Sequence, residues 1–328
     1  MRMALLEVRD LTVSFRTDRK AKAAAVRNVS FSVEKGTTLG IVGESGCGKS
    51  VTASAIMRLL PKTTGEITNG SILLDGCELT TLSEKEMRKI RGGRISMIFQ
   101  DPITSLNPVQ RVGTQMVEML QVRQKISHGD AMRRAEELLR NVGVSDPARR
   151  LRCYPHELSG GMTQRVMIAM ALSCSPSVLI ADEPTTALDV TIQAQVLELI
   201  HLMQQQTQTA VLLITHDMGI VAENADFVMV MYAGEVVEYA PVSDIFTSPL
   251  HPYTQGLLKS LPRLDRDMDI LYSIEGTVPA AYDELPGCRF AERCPQCREQ
   301  CRMQPPPMRD LGQRRVRCHL QGGDANDV

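Results

Sequence analysis

Residues 43–50 read GESGCGKS and fit the phosphate-binding pattern GxxxxGKS. In that pattern a glycine-rich turn exposes backbone N–H groups to a polyphosphate, and a lysine reaches its terminal phosphates. The flanks agree. Residues 39–42 are an apolar run of buried-strand length. Residues 51–60 place Val51, Ala55, Met57, Leu59 and Leu60 among small residues, which predicts a helix with Pro61 as its stop. Strand, loop and helix thus stand in the order that directs a helix N-terminus at an anion. Position 47 is a cysteine; because such a loop works through backbone N–H groups, phosphate binding is expected to survive it. A thiol beside a helix N-terminus is also a candidate for a lowered pKa and for oxidation.

A chain of 328 residues is long enough for about two domains with a sizeable core. Lys and Arg total 37 against 38 Asp and Glu, so a net charge of −1 gives no reason to expect a nucleic-acid partner. No apolar run approaches the roughly 18 residues that span a bilayer. The N-terminus, MRMALLEVRD, has too short an apolar stretch for a secretory signal. If the protein works at a membrane, another chain is expected to cross it.

Residues 5–15 and 26–33 alternate apolar and polar, as half-exposed antiparallel strands do, with RTDRKAK as the turn between them. Phe15 ends the first of these, either as an edge-strand core residue or as a ring on which an adenine stacks. Residues 71–79 form a further strand with an Asp-Gly turn. Residues 94–100 predict a strand ending on Gln100, and DPITSLNP then breaks the chain. From 113 to about 139 the pattern is helical, with Met116, Met119 and Leu120 on one face and Ala135, Leu138 and Leu139 on another. Gly160 and Gly161 precede a Met- and Ala-rich helix over 163–172, whose methionines read as core. The apolar strand 178–181 delivers Asp182 and Glu183 to its C-terminal edge, where open parallel sheets bind ligands. An acidic residue there is what phosphate-bound Mg²⁺ requires. Residues 190–206 form an amphipathic helix. AVLLITHD repeats the strand with a polar edge, now offering His216 beside Asp217, and residues 227–240 read as a hairpin around Ala233-Gly234.

GESGCGKS, Gln100, LSGGM at 158–162, LIADE, ALD and His216, in this order, resemble the ATP-binding cassette family of transport ATPases. The LSGGM signature separates the chain from P-loop kinases and GTPases. The resemblance implies an α/β fold of the P-loop NTPase type with a RecA-like core, an antiparallel β subdomain and a helical subdomain over about 101–172. It implies ATP and Mg²⁺ as ligands. Lys49 would hold the β- and γ-phosphates, with Gly43, Glu44, Ser45, Gly46, Cys47, Gly48, Ser50 and Val51 around the nucleotide and Phe15 on the adenine. Ser50, Gln100 and Asp182 would attend the Mg²⁺. Glu183 would be the base that activates water, with His216 and Gln100 as its catalytic companions. Ser159, Gly160 and Gly161 would meet the ATP of an opposing cassette, and Asp189 of the ALD motif belongs to the same nucleotide set. One loop and one signature per chain cannot close a site alone, so the resemblance implies a head-to-tail pair, with a second copy or a related ATPase. Met162 stands where many cassettes have glutamine, which leaves a side-chain contact from that position in doubt.

The tail, with SPLHPYTQGLLKS at 248–260, GTVP at 276–279 and LPGCRFAERC at 285–294, resembles the C-terminal extension of the oligopeptide, dipeptide and nickel permease ATPases. This implies a cassette domain over 1–247, a Cys-rich extension over 248–328, and a bacterial importer whose solute is a peptide, with nickel or another small solute as the alternative. Two transmembrane permease subunits and an extracytoplasmic solute-binding protein would complete it, with this chain peripheral on the cytoplasmic side of the inner membrane. A cassette ATPase outside transport is a further alternative. Of the nine cysteines, Cys47, Cys77, Cys153 and Cys174 are scattered, and the other five crowd into the tail. In the resembled group Cys288, Cys294, Cys301 and Cys318 would ligate a [4Fe–4S] cluster, four thiolates being the usual set. Cys297 is extra and makes a CxxC with Cys294 that suits zinc; unligated thiols are the third reading. Arg289, Arg293, Arg298, Arg302 and the arginines of 314–317 read as a solvated face.

Overall fold

The computed structural model of the protein describes residues 4–16, 22–101, 105–185, 190–261, 272–279 and 285–321. Its backbone separates into two compact units. The first holds Met1–Leu5, Val33–Thr37 and Thr81–Ile214; the second holds Leu6–Ser32, Thr38–Thr80 and Thr215–Val328. Among the described residues no helix is long and apolar enough to cross a membrane.

The second unit opens with β1 (Leu6–Arg16) and β2 (Lys22–Val33), which are hydrogen-bonded neighbours. Alternation buries Leu6, Val8, Leu11 and Val13, as a two-residue side-chain period demands. The spacing slips by one between Val8 and Leu11. At that point Asp10 takes φ 47°, and the register of β1 against the antiparallel strand over Gly65–Leu74 shifts between Arg9 and Thr12. Asn28, φ 49°, makes the matching slip on β2, its N–H donating to Thr12 Oγ1 at 3.2 Å. Bulges keep the same face inward across an inserted residue. Next come β3 (Thr38–Val42), buried throughout, and α1 (Lys49–Ile56). The helix stops before Pro61 because Arg58 turns left-handed at φ 50°, its guanidinium donating to Leu79 O at 3.1 Å. β4 (Gly65–Leu74) runs antiparallel to β1, and β5 (Cys77–Glu78) folds back on it through Asp75 and Gly76, both at positive φ. That is the expected Asp-Gly hairpin.

In the first unit, α2 (Glu84–Ile90) is closed by a Ser83/Glu86 capping box and leads to β6 (Ile95–Ile98). The predicted helical run over 113–139 is two helices, α3 (Val112–Gln124) and α4 (His128–Asn141). Lys125 at φ 54° ends one, and Ser127 Oγ caps the next from Asp130 N–H. The two faces named from the sequence are nonetheless the packed ones, with Met116, Leu120, Ala135 and Leu139 fully buried. A short α5 (Pro147–Arg150) precedes α6 (Gly160–Leu172), which begins at the two glycines rather than after them. β7 (Val178–Asp182) pairs in parallel with β6 and with β8 (Ala210–Ile214), and α7 (Val190–Thr207) connects β7 to β8. All three strands are buried along their length, the pattern of a parallel sheet covered on both faces.

The second unit resumes with α8 (Met218–Asn224), β9 (Phe227–Tyr232), β10 (Glu235–Pro241), α9 (Val242–Thr247), α10 (Pro252–Lys259) and α11 (Glu299–Met303), then β11 (Arg309–Leu311) and β12 (Arg314–Val316). β9 lies parallel to β3 and antiparallel to β10, joined through Ala233 and Gly234 at φ 46° and 82°. β12 adds to the far side of β10 and β11 to β12. The tail therefore continues the core. Tyr232, Tyr253 and Phe290 meet edge to face with ring centroids 4.7, 5.2 and 5.4 Å apart. Burying each such ring contributes about 2–3 kcal/mol.

His251 shows how the tail is fastened. It lies fully inside, its Nδ1 accepting from Tyr253 N–H at 3.0 Å, while its own N–H and that of Leu250 donate to the buried Glu238 carboxylate at 2.9 and 2.8 Å. Burial pushes its imidazole down to about 3, opposed only in part by a hydrogen bond to the Arg317 backbone. The folded protein thus keeps His251 neutral where the unfolded chain takes up a proton. Its contribution is complete above pH 6.5 and is lost as pH falls from 6.5 toward 3, at about 1.4 kcal/mol per pH unit. Urea unfolding between pH 7 and 5 is expected to show that loss in the native sequence, and a shallower slope in His251→Gln; equal slopes would contradict it.

Candidate functional site

The loop between β3 and α1 turns on Gly43, Gly46 and Gly48 at φ 149°, 79° and 102°. Two of them also allow close approach: a Cβ at Gly43 would stand 2.2 Å from Met231 O, and one at Gly48 3.1 Å from Ala25 O. One side of the loop is thereby pressed on the tip of the β9–β10 hairpin, where Gly234 N–H donates to Cys47 O at 3.0 Å. The other side is open, with Ser45, Gly46 and Ser50 exposed and Glu44 and Val51 half-buried. Lys49 is buried, and its Nζ donates to Gly43 O at 2.7 Å and Glu44 O at 3.1 Å. Its ammonium sits inside the curve of the loop, where terminal phosphates of a nucleotide would come.

Two further expected residues lie in the same unit. Phe15, half-buried, pairs across the sheet with Gly65, and a Cβ there would reach within 2.8 Å of its ring. The ring lies over a glycine with part of its surface open, which suits stacking by an aromatic base. His216 is exposed just past Thr215, whose N–H donates to Ile41 O at 3.2 Å. Asp217 serves the fold, its carboxylate capping α8 by accepting from Gly219 and Ile220 N–H.

In the first unit, Asp182 ends β7 and is buried. Glu183 takes φ 48°, its N–H donates to Ile214 O at 2.9 Å, and its Oε2 accepts from Gln100 Nε2 at 3.0 Å. The strand ends at 98 and 182 thus bring Gln100 and Glu183 together. Ser159 caps α6, its Oγ accepting from Met162 N–H at 3.4 Å, and Gly160 and Gly161 form the first turn of that helix. Sequence reasoning passed over Gln164, which is buried on α6 and donates to Pro184 O just past the acidic pair. The available signal was one amide among methionines and alanines. Asp189 lies outside the described residues.

The tail brings Cys288, Cys294, Cys301 and Cys318 to one small cavity beside His251 and Phe290. Backbone N–H groups of Phe290, Gln296 and Leu320 approach the sulfurs of Cys288, Cys294 and Cys318, each two residues ahead of its cysteine. Burial pushes these three thiols up, Cys288 to about 12, and the neighbouring sulfurs add to the shift. Cys297 does not line the cavity, and its Sγ donates to Arg298 O at 3.5 Å. Among the described residues no group of three or more His, Cys, Asp or Glu is placed to hold a metal ion.

Two expectations are corrected. Cys47 is completely buried, and desolvation raises its pKa over the opposing pull of Lys49, so the helix N-terminus does not make it a reactive thiol. The basic residues of the tail are not all a solvated face. Arg298 and Arg302 are exposed, but the side chains of Arg289 and Arg293 are only 5% and 6% exposed and are paired with Glu235 and Glu44. Charge this deep is kept where carboxylates and carbonyls satisfy the guanidinium.

Residues 26–186 match the ABC transporter family, and residues 237–301 match the oligopeptide/dipeptide transporter C-terminal region. The chain is 53% identical to a probable peptide ABC transporter ATP-binding protein of Sinorhizobium fredii, over 94% of this chain and 92% of that one. It is 52% identical to the oligopeptide transport ATP-binding protein AppD of Bacillus subtilis, over 96% of each. Among solved structures it resembles a dimeric ATP-binding cassette in a post-hydrolysis state bound to ADP and Pi, with a TM-score of 0.65 and 26% identity over 72% of this chain and 98% of the other. With a phosphate loop, an acidic strand end and relatives of this identity along almost its whole length, the chain belongs to the ATP-binding proteins of ABC transporters.

Proposed function

We propose that this chain is the ATP-hydrolysing subunit of a bacterial importer of dipeptides or oligopeptides, peripheral on the cytoplasmic side of the inner membrane. The observation that carries the reading is the presence in one chain of the Gly43–Ser50 loop and a tail matching the oligopeptide/dipeptide transporter C-terminal region. The cassette occupies 1–247 and the extension 248–328. Two membrane permease subunits conduct the solute that an extracytoplasmic binding protein delivers. ATP closes a head-to-tail pair, formed with a second copy or a related ATPase, and hydrolysis reopens it.

Lys49 and the loop amides hold the phosphates, and Phe15 stacks on the adenine. Ser50, Asp182 and Gln100 attend Mg²⁺. Glu183 takes the proton of the attacking water, with Gln100 positioning its carboxylate and His216 contacting the γ-phosphate. Ser159, Gly160 and Gly161 offer a hydroxyl and two helix-start amides to the partner's nucleotide, and Asp189 completes the set. Such chemistry is mostly positioning and charge stabilisation. Glu183→Gln is expected to bind ATP normally, to lose turnover by at least ~100-fold, and to elute as a closed dimer in ATP. Turnover at the native rate would remove Glu183 from its role.

Cys288, Cys294, Cys301 and Cys318 would hold a [4Fe–4S] cluster, whose iron would supply the positive charge that favours their thiolate form over the protonated one that burial favours. Their shared cavity and the N–H groups aimed at three of them support this, and the position of Cys297 outside the cavity lining favours the other four as the ligand set. Anaerobic purification is expected to yield iron and sulfide in equal amounts, retained in Cys297→Ser and lost in Cys301→Ser. Colourless protein with stoichiometric zinc would overturn the assignment.

A further inference from the structure

The phosphate loop is gripped from the tail at a single residue. Glu44 N–H donates to Tyr253 Oη at 2.9 Å, and both Glu44 carboxylate oxygens accept from Arg293 Nη1, at 3.1 and 3.0 Å. Arg293 is itself fixed. Its Nε donates to Glu275 O at 2.9 Å, its Nη2 to Ile274 O at 3.2 Å and its Nη1 also to Tyr232 Oη at 3.3 Å, with the guanidinium 5.7 Å from the Tyr232 ring centre. Tyr253 is wedged between Tyr232 and Phe290. Two rigid groups from the tail therefore converge on the second residue of a loop whose three left-handed glycines give it little stiffness of its own.

We propose that Arg293 and Tyr253 are positioning residues for nucleotide binding, through which the C-terminal extension sets the loop's affinity for ATP. The proposal rests on the ATPase reading of the loop. Two physical effects combine. Holding Glu44 by side chain and backbone orders the loop before ligand arrives, so less conformational entropy is lost on binding. Arg293 also neutralises a carboxylate that would otherwise stand uncompensated beside a polyphosphate.

The charge effect gives a test that a merely structural role would not pass. Arg293→Ala is expected to raise the dissociation constant of a fluorescent ATP analogue and the KM for ATP by roughly 10-fold, with kcat changed less than about 2-fold. Adding Glu44→Gln to that variant is expected to recover most of the affinity, because the exposed negative charge is gone. Tyr253→Phe, which removes only a hydroxyl, is expected to weaken binding a few-fold. Native binding in both Arg293→Ala and Tyr253→Phe, or additive losses in the double variant, would overturn the proposal. If Arg293→Ala does not fold, Arg293→Lys serves instead. It keeps the charge but cannot hold Glu44 and both carbonyls at once, so an affinity loss smaller than 10-fold supports the brace and none overturns it. Lys49→Ala separates the two readings: if it binds ATP as the native protein does, the ATPase site itself is misplaced. Loss of binding there with full binding in the tail variants would sink the brace alone.

Discussion

At Gly43 the loop backbone lies so close to Met231 O that no side chain could stand between them, and the seating of the phosphate loop depends on that contact. The loop is laid on the tip of the β9–β10 hairpin, so its shape is only as well defined as the hairpin. The hairpin turn in its turn holds Ala233 at positive φ, an arrangement that costs about 1 kcal/mol for a residue other than glycine. Arg289 reaches in from the tail to donate to the Ala233 carbonyl and pairs with Glu235. Sheet, hairpin and tail form one chain of support under the phosphate loop.

Much of this was legible because it is local. A positive-φ pair announces itself as Asp75-Gly76, an apolar run as a buried strand, and a GxxxxGKS stretch as a loop between strand and helix. The paired bulges at Asp10 and Asn28 can be read as a one-residue slip in each apolar alternation. What escaped depends on partners distant in sequence. Nothing near Arg58 says that its guanidinium will find Leu79 O and end α1 there. Nothing near Arg293 says that Glu44, far back along the chain, will take it out of water. Composition suggested a charged surface, and tertiary pairing overrode it.

The cysteines mark the same boundary between spacing and geometry. Spacing names five candidates in the tail and offers CxxC as one pairing. Geometry sorts them by where the sulfur points. Cys288, Cys294 and Cys318 each receive an N–H from two residues ahead, and Cys301 is fixed by backbone pairing of its carbonyl with Cys288 N–H at 2.7 Å. Cys297 turns to its own neighbour's carbonyl. Repeated local turns of one kind around a shared cavity divide the five cysteines more sharply than any interval between them does.

The pairing of β12 with β10, Glu238 opposite Val316 and Tyr239 opposite Arg315, makes the end of the chain impossible to trim cleanly. A truncation at the nominal end of the cassette, residue 247, would strip the strand that covers β10 and remove both Tyr253 and Phe290, leaving Tyr232 without its ring partners. The fragment would present an unpaired row of amides and carbonyls beside a bared greasy patch, the combination that drives self-association. Poor solubility of such a fragment would then reflect a torn sheet edge, and would say nothing about whether the missing residues touch nucleotide.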